Sequence, residues 1–322
     1  MSIIQQLKLA VTHGYQVTRE EALSLYSAPL EQLCTAADEL RQHFCGNAFD
    51  LCTIINGKSG RCSENCKYCA QSSHYCTEIE EYALLDSECI VKEARYNESK
   101  GVLRYSIVTS GRNLSNAELD IICESYRALR DSCTILLCAS HGLLSFEQFQ
   151  QLKAAGVRRY HNNLETSRRF FPQICTTHTY DDKLRTIKNA LAAGLEVCSG
   201  GIMGLGETAE DRIDMALDLR SLGIKSVPVN LLNPIKGTPL ENAVRITGEE
   251  VRRITATYRF ILPDANIRLA GGRGLLADKG RAVFQSGANA AISGDMLTTA
   301  GISISDDINI LKELGFEAKL YE

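Results

Sequence analysis

From residue 46 onward the chain alternates two kinds of apolar pattern. Short runs rich in Val, Ile and Leu fall near 49–56, 103–109, 134–139, 157–163, 195–200, 225–231, 266–270 and 289–293. The longer stretches between them carry apolar residues at helical spacing. Helical stretches end at Lys100-Gly101, Ala155-Gly156, Ala193-Gly194, Leu222-Gly223 and Ser286-Gly287 just before a run, where a left-handed C-cap is wanted. Helical crossovers make the strands parallel. Eight regular units with no dinucleotide fingerprint favour an α/β fold of the closed (β/α)8 TIM-barrel type over a doubly wound open sheet. Residues 2–45 read as helices, with a capping-box signal in Thr18-Arg-Glu-Glu21. The expected organisation is a helical cap over 1–45 and a barrel over 46–322 that includes a C-terminal helix.

Composition narrows the function classes. The 322 residues, 44% of them hydrophobic, suffice for one large core. A net charge of -4 with dispersed basic residues does not resemble the footprint of a nucleic-acid binder. The first ten residues lack a signal-peptide core and no apolar run is long enough to span a membrane, so a cytoplasmic protein is expected. Thirteen cysteines, odd in number and irregular in spacing, fit reduced thiols and metal ligation better than disulfides. Cys34, Cys45, Cys89, Cys123 and Cys133 read as small buried hydrophobes.

One cysteine group stands apart. Cys62-Ser-Glu-Asn-Cys66-Lys-Tyr-Cys69 is a C-x3-C-x2-C run on a loop after the first predicted strand. Three thiolates so close suit three corners of a 4Fe-4S cluster, leaving the fourth iron open to a small molecule. The competing reading is a zinc site closed by Cys76. In barrels the chemistry sits at the C-terminal strand ends. Cys138 closes strand three, Cys198 ends strand five and Cys175 follows strand four, and their convergence on one mouth predicts a second metal site. Cys133, five residues before Cys138, faces the other side of the strand.

Polar residues near the same strand ends are further candidates. Alternation sends Asn163 and Glu165 inward and Asn162 outward, with helix capping an equal alternative for this stretch. Asn230 within an apolar strand needs a partner, and a buried Arg268 needs an acceptor, an anion or a cluster. The glycine-rich run from Gly200 to Glu207 offers backbone that a flat ligand can approach. Thr298 and Thr299 suit a carboxylate or simple turn chemistry, and His161 and His178 read as ordinary hydrogen-bonding groups.

Six segments in this order carry a family resemblance: Cys62-x3-Cys66-Lys-Tyr-Cys69-Ala-Gln, His161-Asn-Asn-Leu-Glu-Thr-Ser167, Val197 to Thr208, Ser226 to Leu232, Lys236-Gly-Thr-Pro239 and Leu297-Thr-Thr299. Over nearly its whole length the chain resembles the biotin synthases of the radical S-adenosylmethionine superfamily. The resemblance implies that Cys62, Cys66 and Cys69 hold a 4Fe-4S cluster whose open iron takes the amino and carboxylate groups of S-adenosylmethionine. An electron from a flavodoxin or ferredoxin-type reductant then releases a 5'-deoxyadenosyl radical, which removes hydrogens from dethiobiotin. Sulfur from an auxiliary iron-sulfur cluster bridges the two carbons to give biotin. By the same resemblance, Tyr68, Ser110, Asn163, Glu165, Gly201, Ile202 and Asn230 line the cofactor site. Asn163, Asn230, Thr298 and Thr299 meet the substrate, and the protein pairs as a homodimer.

The chain departs from the pattern at one position. Where the best-known members place three cysteines and an arginine around a 2Fe-2S cluster, Cys138, Cys198 and Arg268 match but the remaining position is Ser106. Cys175 is the expected replacement, so that Cys138, Cys175 and Cys198, with Arg268 beside them, form the sulfur-donating centre. The similar branch from anaerobes implies a 4Fe-type auxiliary cluster with an extra sulfide, with 2Fe-2S as the alternative. Hydrogenase-maturation or methylornithine-forming relatives, and a zinc-stabilised binding protein, are the competing functions.

Overall fold

The computed structural model describes residues 2–320, so the expected outer limits at Met1 and Glu322 lie outside the described residues. Three helices come first: α1 (Ile3–Thr12), α2 (Arg19–Tyr26) and α3 (Leu30–Cys45). The expected capping box is present, with the Thr18 side chain accepting from the Glu21 amide and the Glu21 side chain returning to the Thr18 amide. The apolar faces of these helices, including Leu7, Leu25, Leu33 and Leu40, merge into the same continuous core as the residues that follow.

The remainder builds a barrel. Its strands are β1 (Ala48–Lys58), β2 (Arg104–Thr109), β3 (Leu136–Ser140), β4 (Arg159–His161), β5 (Glu196–Cys198), β6 (Gly201–Met203), β7 (Ser226–Leu231), β8 (Asn266–Leu269) and β9 (Ala290–Ile292). All pair in parallel, and β9 returns to β1 with Asp50 opposite Ala290, which closes the sheet. A short β10 (Glu317–Ala318) pairs with the start of β1. Around the wall run α4 (Ser87–Ser99), α5 (Asn116–Ser132), α6 (Phe146–Ala154), α7 (Phe171–Ile174), α8 (Tyr180–Ala192), α9 (Ala209–Ser221), α10 (Gly248–Ile261), α11 (Arg281–Phe284) and α12 (Ile304–Glu313).

Each of the eight predicted runs holds a strand, and the fifth wall position is divided. Here β5 pairs with β7 through one residue before the chain shifts at Ser199-Gly200 and resumes as β6. A Cβ at Gly200 would run into the backbone of Pro228 on β7, so the glycine permits this close approach of two strands. All five glycines expected to end helices before a strand, Gly101, Gly156, Gly194, Gly223 and Gly287, have positive φ.

The barrel floor is charged. Asp50, 1% exposed, lies 3.1 Å from Arg104, 3.2 Å from Arg159 and 2.9 Å from Arg268. Burial alone would raise the Asp50 pKa, but the three guanidiniums, Arg268 foremost, outweigh it and hold it at about 2. Each of the four is a charged residue inside a predicted apolar run, a feature shared by the exposed Arg158 and Glu196, so only the barrel's closure shows which of them turn inward.

Candidate active site

A cavity of about 420 Å³ opens at the C-terminal ends of the strands, within the range of small-molecule sites. The Cys62–Cys69 loop leaves the end of β1 as expected. Its fold is fixed by local bonds: the Cys62 amide to the Gln71 carbonyl (3.0 Å), the Cys69 amide to the Cys66 carbonyl (3.0 Å) and the Ser73 amide to the Cys62 carbonyl (2.8 Å). Cys62, Tyr68 and Cys69 face the cavity. Among the described residues, the trio does not draw together within 4.8 Å as ligands of a single ion do, and no such group includes Cys76, which is exposed. That spread fits a cube, whose corners lie apart, better than one zinc ion held by the three loop thiols and Cys76.

The end of β4 supplies the polar side. Asn163 accepts from the Gly200 amide (3.0 Å) and its own amide nitrogen donates to Glu165 (3.3 Å). Glu165 has φ +72, held by a bridge in which its amide bonds Gly200 (3.1 Å) and its carbonyl accepts from Ile202 (2.8 Å). A Cβ on Gly201 would strike the Glu165 carbonyl and Met215, so this glycine makes room for the protein's own backbone rather than for a ligand. Burial, reinforced by nearby thiols and Glu165, pushes the Tyr68 phenol well above its ordinary pKa, which keeps it a donor to that carboxylate. Asn230 finds its partners in the Gly201 carbonyl (3.1 Å) and the Gly271 amide (2.9 Å). Ser110, Ile202, Thr298 and Thr299 also line the cavity. The threonine loop is tied down by Asn56, which donates to the Leu297 carbonyl at 3.0 Å. Asn162 was expected to point outward and instead lines the cavity, because β4 ends at His161 and strand alternation stops there.

Deeper in the same cavity lie Cys138, Cys198, Ser106 and Arg268. Burial would raise the Cys198 thiol, but a hydrogen bond and charge from His161, with Arg268 and Arg159 behind, bring it down to about 7. Ser226 donates to its sulfur at 3.2 Å. Burial pushes the Cys138 thiol up, against Arg159 and Arg104.

Cys175 does not join them. Its sulfur lies 3.7 Å from that of Cys66 and 3.3 Å from His178 Nδ1, and His178 bonds Glu64. The reason is a clasp between two loops: the Lys67 amide bonds the Ile174 carbonyl (2.9 Å) and Asn65 Oδ1 accepts from the Thr176 amide (2.9 Å). Strand order places Cys175 at the mouth but cannot say which wall its loop turns toward. The thiol that does reach the deep group is Cys52 on β1, which accepts from Arg268 Nη1 at 3.2 Å and lines the cavity beside Cys138 and Cys198. Its signal in the sequence is its place two residues after Asp50, on the same inward face. Of the five cysteines expected to be buried, Cys34, Cys45 and Cys123 are. Cys89, in the first turn of α4, is exposed and Cys133 half-buried.

A closed parallel barrel with three closely spaced thiols on the loop after its first strand defines a radical S-adenosylmethionine enzyme. The profile of the Radical SAM superfamily matches residues 58–219, and that of the Biotin and Thiamin Synthesis associated domain matches residues 228–317. A biotin synthase from Akkermansia muciniphila is 61% identical over 99% of this chain and 100% of its own length. One from Clostridium botulinum is 59% identical over 98% of this chain and 100% of its own. Among solved structures, methylornithine synthase (PylB) superposes with a TM-score of 0.84 at 20% identity over 98% of both chains. The hydrogenase maturase HydG from Carboxydothermus hydrogenoformans superposes with 0.83 at 18% identity, over 97% of this chain and 78% of that one. Identities so low carry the fold alone. The chain belongs to the biotin synthase family.

Proposed function

We propose that this chain converts dethiobiotin to biotin in a single cavity, with radical generation at its mouth and a sulfur-donating cluster nearer its floor. As a family member the chain is an enzyme, a radical S-adenosylmethionine sulfurtransferase that uses a 4Fe-4S cluster and S-adenosylmethionine. The observation that carries the two-site reading is the cavity itself, which is lined by loop thiols at one end and strand thiols at the other.

In this reading Cys62, Cys66 and Cys69 hold the 4Fe-4S cluster. Tyr68, Ser110, Asn163, Glu165, Gly201, Ile202 and Asn230 hold S-adenosylmethionine. Cys138 and Cys198, with Arg268 beside them, hold the auxiliary cluster, for which the resemblance to the branch from anaerobes points to a 4Fe type with an extra sulfide, with 2Fe-2S as the alternative. Bound there, these groups supply one-electron cleavage of a sulfonium, a hydrogen-abstracting carbon radical and a sulfur atom. The protein supplies position and dryness. Asn163 and Glu165, fixed by the Gly200–Ile202 backbone, offer an amide and a carboxylate to hydroxyl and amino groups of the cofactor. Thr298 and Thr299 take the dethiobiotin carboxylate. Ile54, Val108 and Leu231 give the cavity apolar walls that exclude water from a reactive carbon centre. The reductant is a flavodoxin or ferredoxin-type protein and the working unit a homodimer, both on the strength of the resemblance. Among the described residues no helix is long and apolar enough to cross a membrane.

The test is anaerobic incubation of the reconstituted protein with S-adenosylmethionine, reductant and dethiobiotin, followed by mass analysis. Both 5'-deoxyadenosine and biotin are expected. The nucleoside without biotin overturns the substrate assignment, and neither product from cluster-loaded protein overturns the radical reading.

A further inference from the structure

We propose that Cys52 is the third thiolate of the auxiliary iron-sulfur site, completing a set with Cys138 and Cys198 that is built entirely from barrel strands. This deepens the two-site reading above and rests on its placement of a cluster at Cys138 and Cys198.

The placement follows from strand geometry. Residues two apart on one strand share a face. On β1 these are Asp50 and Cys52, and on β2 they are Arg104 and Ser106; Cys52 pairs in register with Arg104, so its sulfur stands one inward position above Asp50. Ser106 pairs in register with Ile54 on one side and with Cys138 on the other. The cavity lining includes sulfur from β1, hydroxyl from β2, sulfur from β3 and sulfur from β5. Ser106 is buried and its hydroxyl oxygen has no hydrogen-bond partner, as expected beside a space meant for another group.

Charge decides what kind of group belongs there. Arg104, Arg159 and Arg268 converge on Asp50 from below. Even counting Glu196, a largely exposed carboxylate 2.7 Å from Arg159, the guanidiniums outnumber the carboxylates. A bare divalent cation would be repelled from such a floor. An iron-sulfur cluster with thiolate ligands is anionic and is stabilised by it. Arg268 also donates to Cys52 at 3.2 Å, which turns this sulfur toward the guanidinium-lined floor of the cavity. Cys175 meets none of these conditions, since its contacts are Cys66, His178, Thr177 and Asn65.

The test is iron and acid-labile sulfide per chain, with visible and Mössbauer spectra, on anaerobically reconstituted full-length protein and the variants Cys52→Ser, Cys138→Ala, Cys198→Ala and Cys175→Ala. Cys52→Ser is expected to lose the same share of iron and the same spectral component as Cys138→Ala and Cys198→Ala, while Cys175→Ala keeps that component. If Cys138→Ala and Cys198→Ala retain it, the underlying two-site reading falls. If they lose it while Cys52→Ser keeps it, only the role of Cys52 falls. A second arm avoids any folding defect by using wild-type protein. Chelator removal of the clusters should raise alkylation of Cys52 together with Cys138 and Cys198, and a Cys52 alkylated equally before and after overturns the proposal.

Discussion

The Cys62–Cys69 loop and the strand thiols Cys52, Cys138 and Cys198 line one cavity but are assembled in opposite ways. The loop is shaped by hydrogen bonds among its own neighbours, from Cys62 to Ser73, and by one clasp to the 174–178 segment. The strand thiols are contributed by β1, β3 and β5, and stand on a floor of ion pairs that also joins β2, β4 and β8. The first arrangement separates chemistry from stability, because a loop thiol can be lost while the barrel stays closed. The second ties them together, since the charges beneath these thiols also bind the barrel wall.

The largest expected difference is in activity. Cys69→Ala should reduce 5'-deoxyadenosine formation to background while changing unfolding free energy by no more than about 1 kcal/mol in urea titration. A large loss of stability would break the separation. Asp50→Asn should do the reverse, removing the one buried carboxylate that three guanidiniums share and leaving only the largely exposed Glu196 beside Arg159 and Arg104. A loss of about 3–5 kcal/mol is expected, read from the denaturant midpoint, with the deep iron site failing to load.

A third expectation concerns His141, which braces the end of β3 that carries Cys138. Thr109 stands 3.0 Å from its Nδ1 and Tyr126 3.0 Å from its Nε2, and the Tyr126 hydroxyl donates to the Cys138 carbonyl. One donor and one acceptor on the ring satisfy this set, so the neutral imidazole fits and burial lowers its pKa from 6.5 to about 3. The folded pKa lies below the unfolded one, so this contribution is fully present above pH 6.5 and is lost as the pH falls toward 3. Between the unfolded pKa and a pH about two units lower the loss should be roughly 2–3 kcal/mol, measured as the difference between wild-type and His141→Gln titrations. The smallest effect belongs to Ser106→Ala. Its hydroxyl has no partner, so stability should move by less than about 0.5 kcal/mol, and a larger loss would reveal a bond that the cavity geometry does not contain.

The two regions were also unequally legible. Spacing alone marked Cys62, Cys66 and Cys69, because a loop motif is local and its chemistry follows from the intervals. Asn163, Glu165 and Asn230 were legible as polar residues at strand ends, but the left-handed backbone of Glu165 and its dependence on Gly200 and Gly201 were not. Cys175 misled because its distance from strand four said nothing about the turn that α7 imposes, which sends it to Cys66. Cys52 did not stand out because a cysteine in an apolar strand looks like core, and only the closed barrel shows it facing the cavity above Asp50.

By itself the amino-acid sequence determined the eight β/α units, their glycine stops, the capped N-terminal helix and the closely spaced cysteine loop after the first strand. All of these rest on interactions between residues near one another along the chain. Tertiary structure alone decided which thiols line the cavity together. That depends on the register of strands far apart in sequence and on a closure pairing Asp50 with Ala290, which sets Cys52, Cys138 and Cys198 around one space and leaves Cys175 outside it.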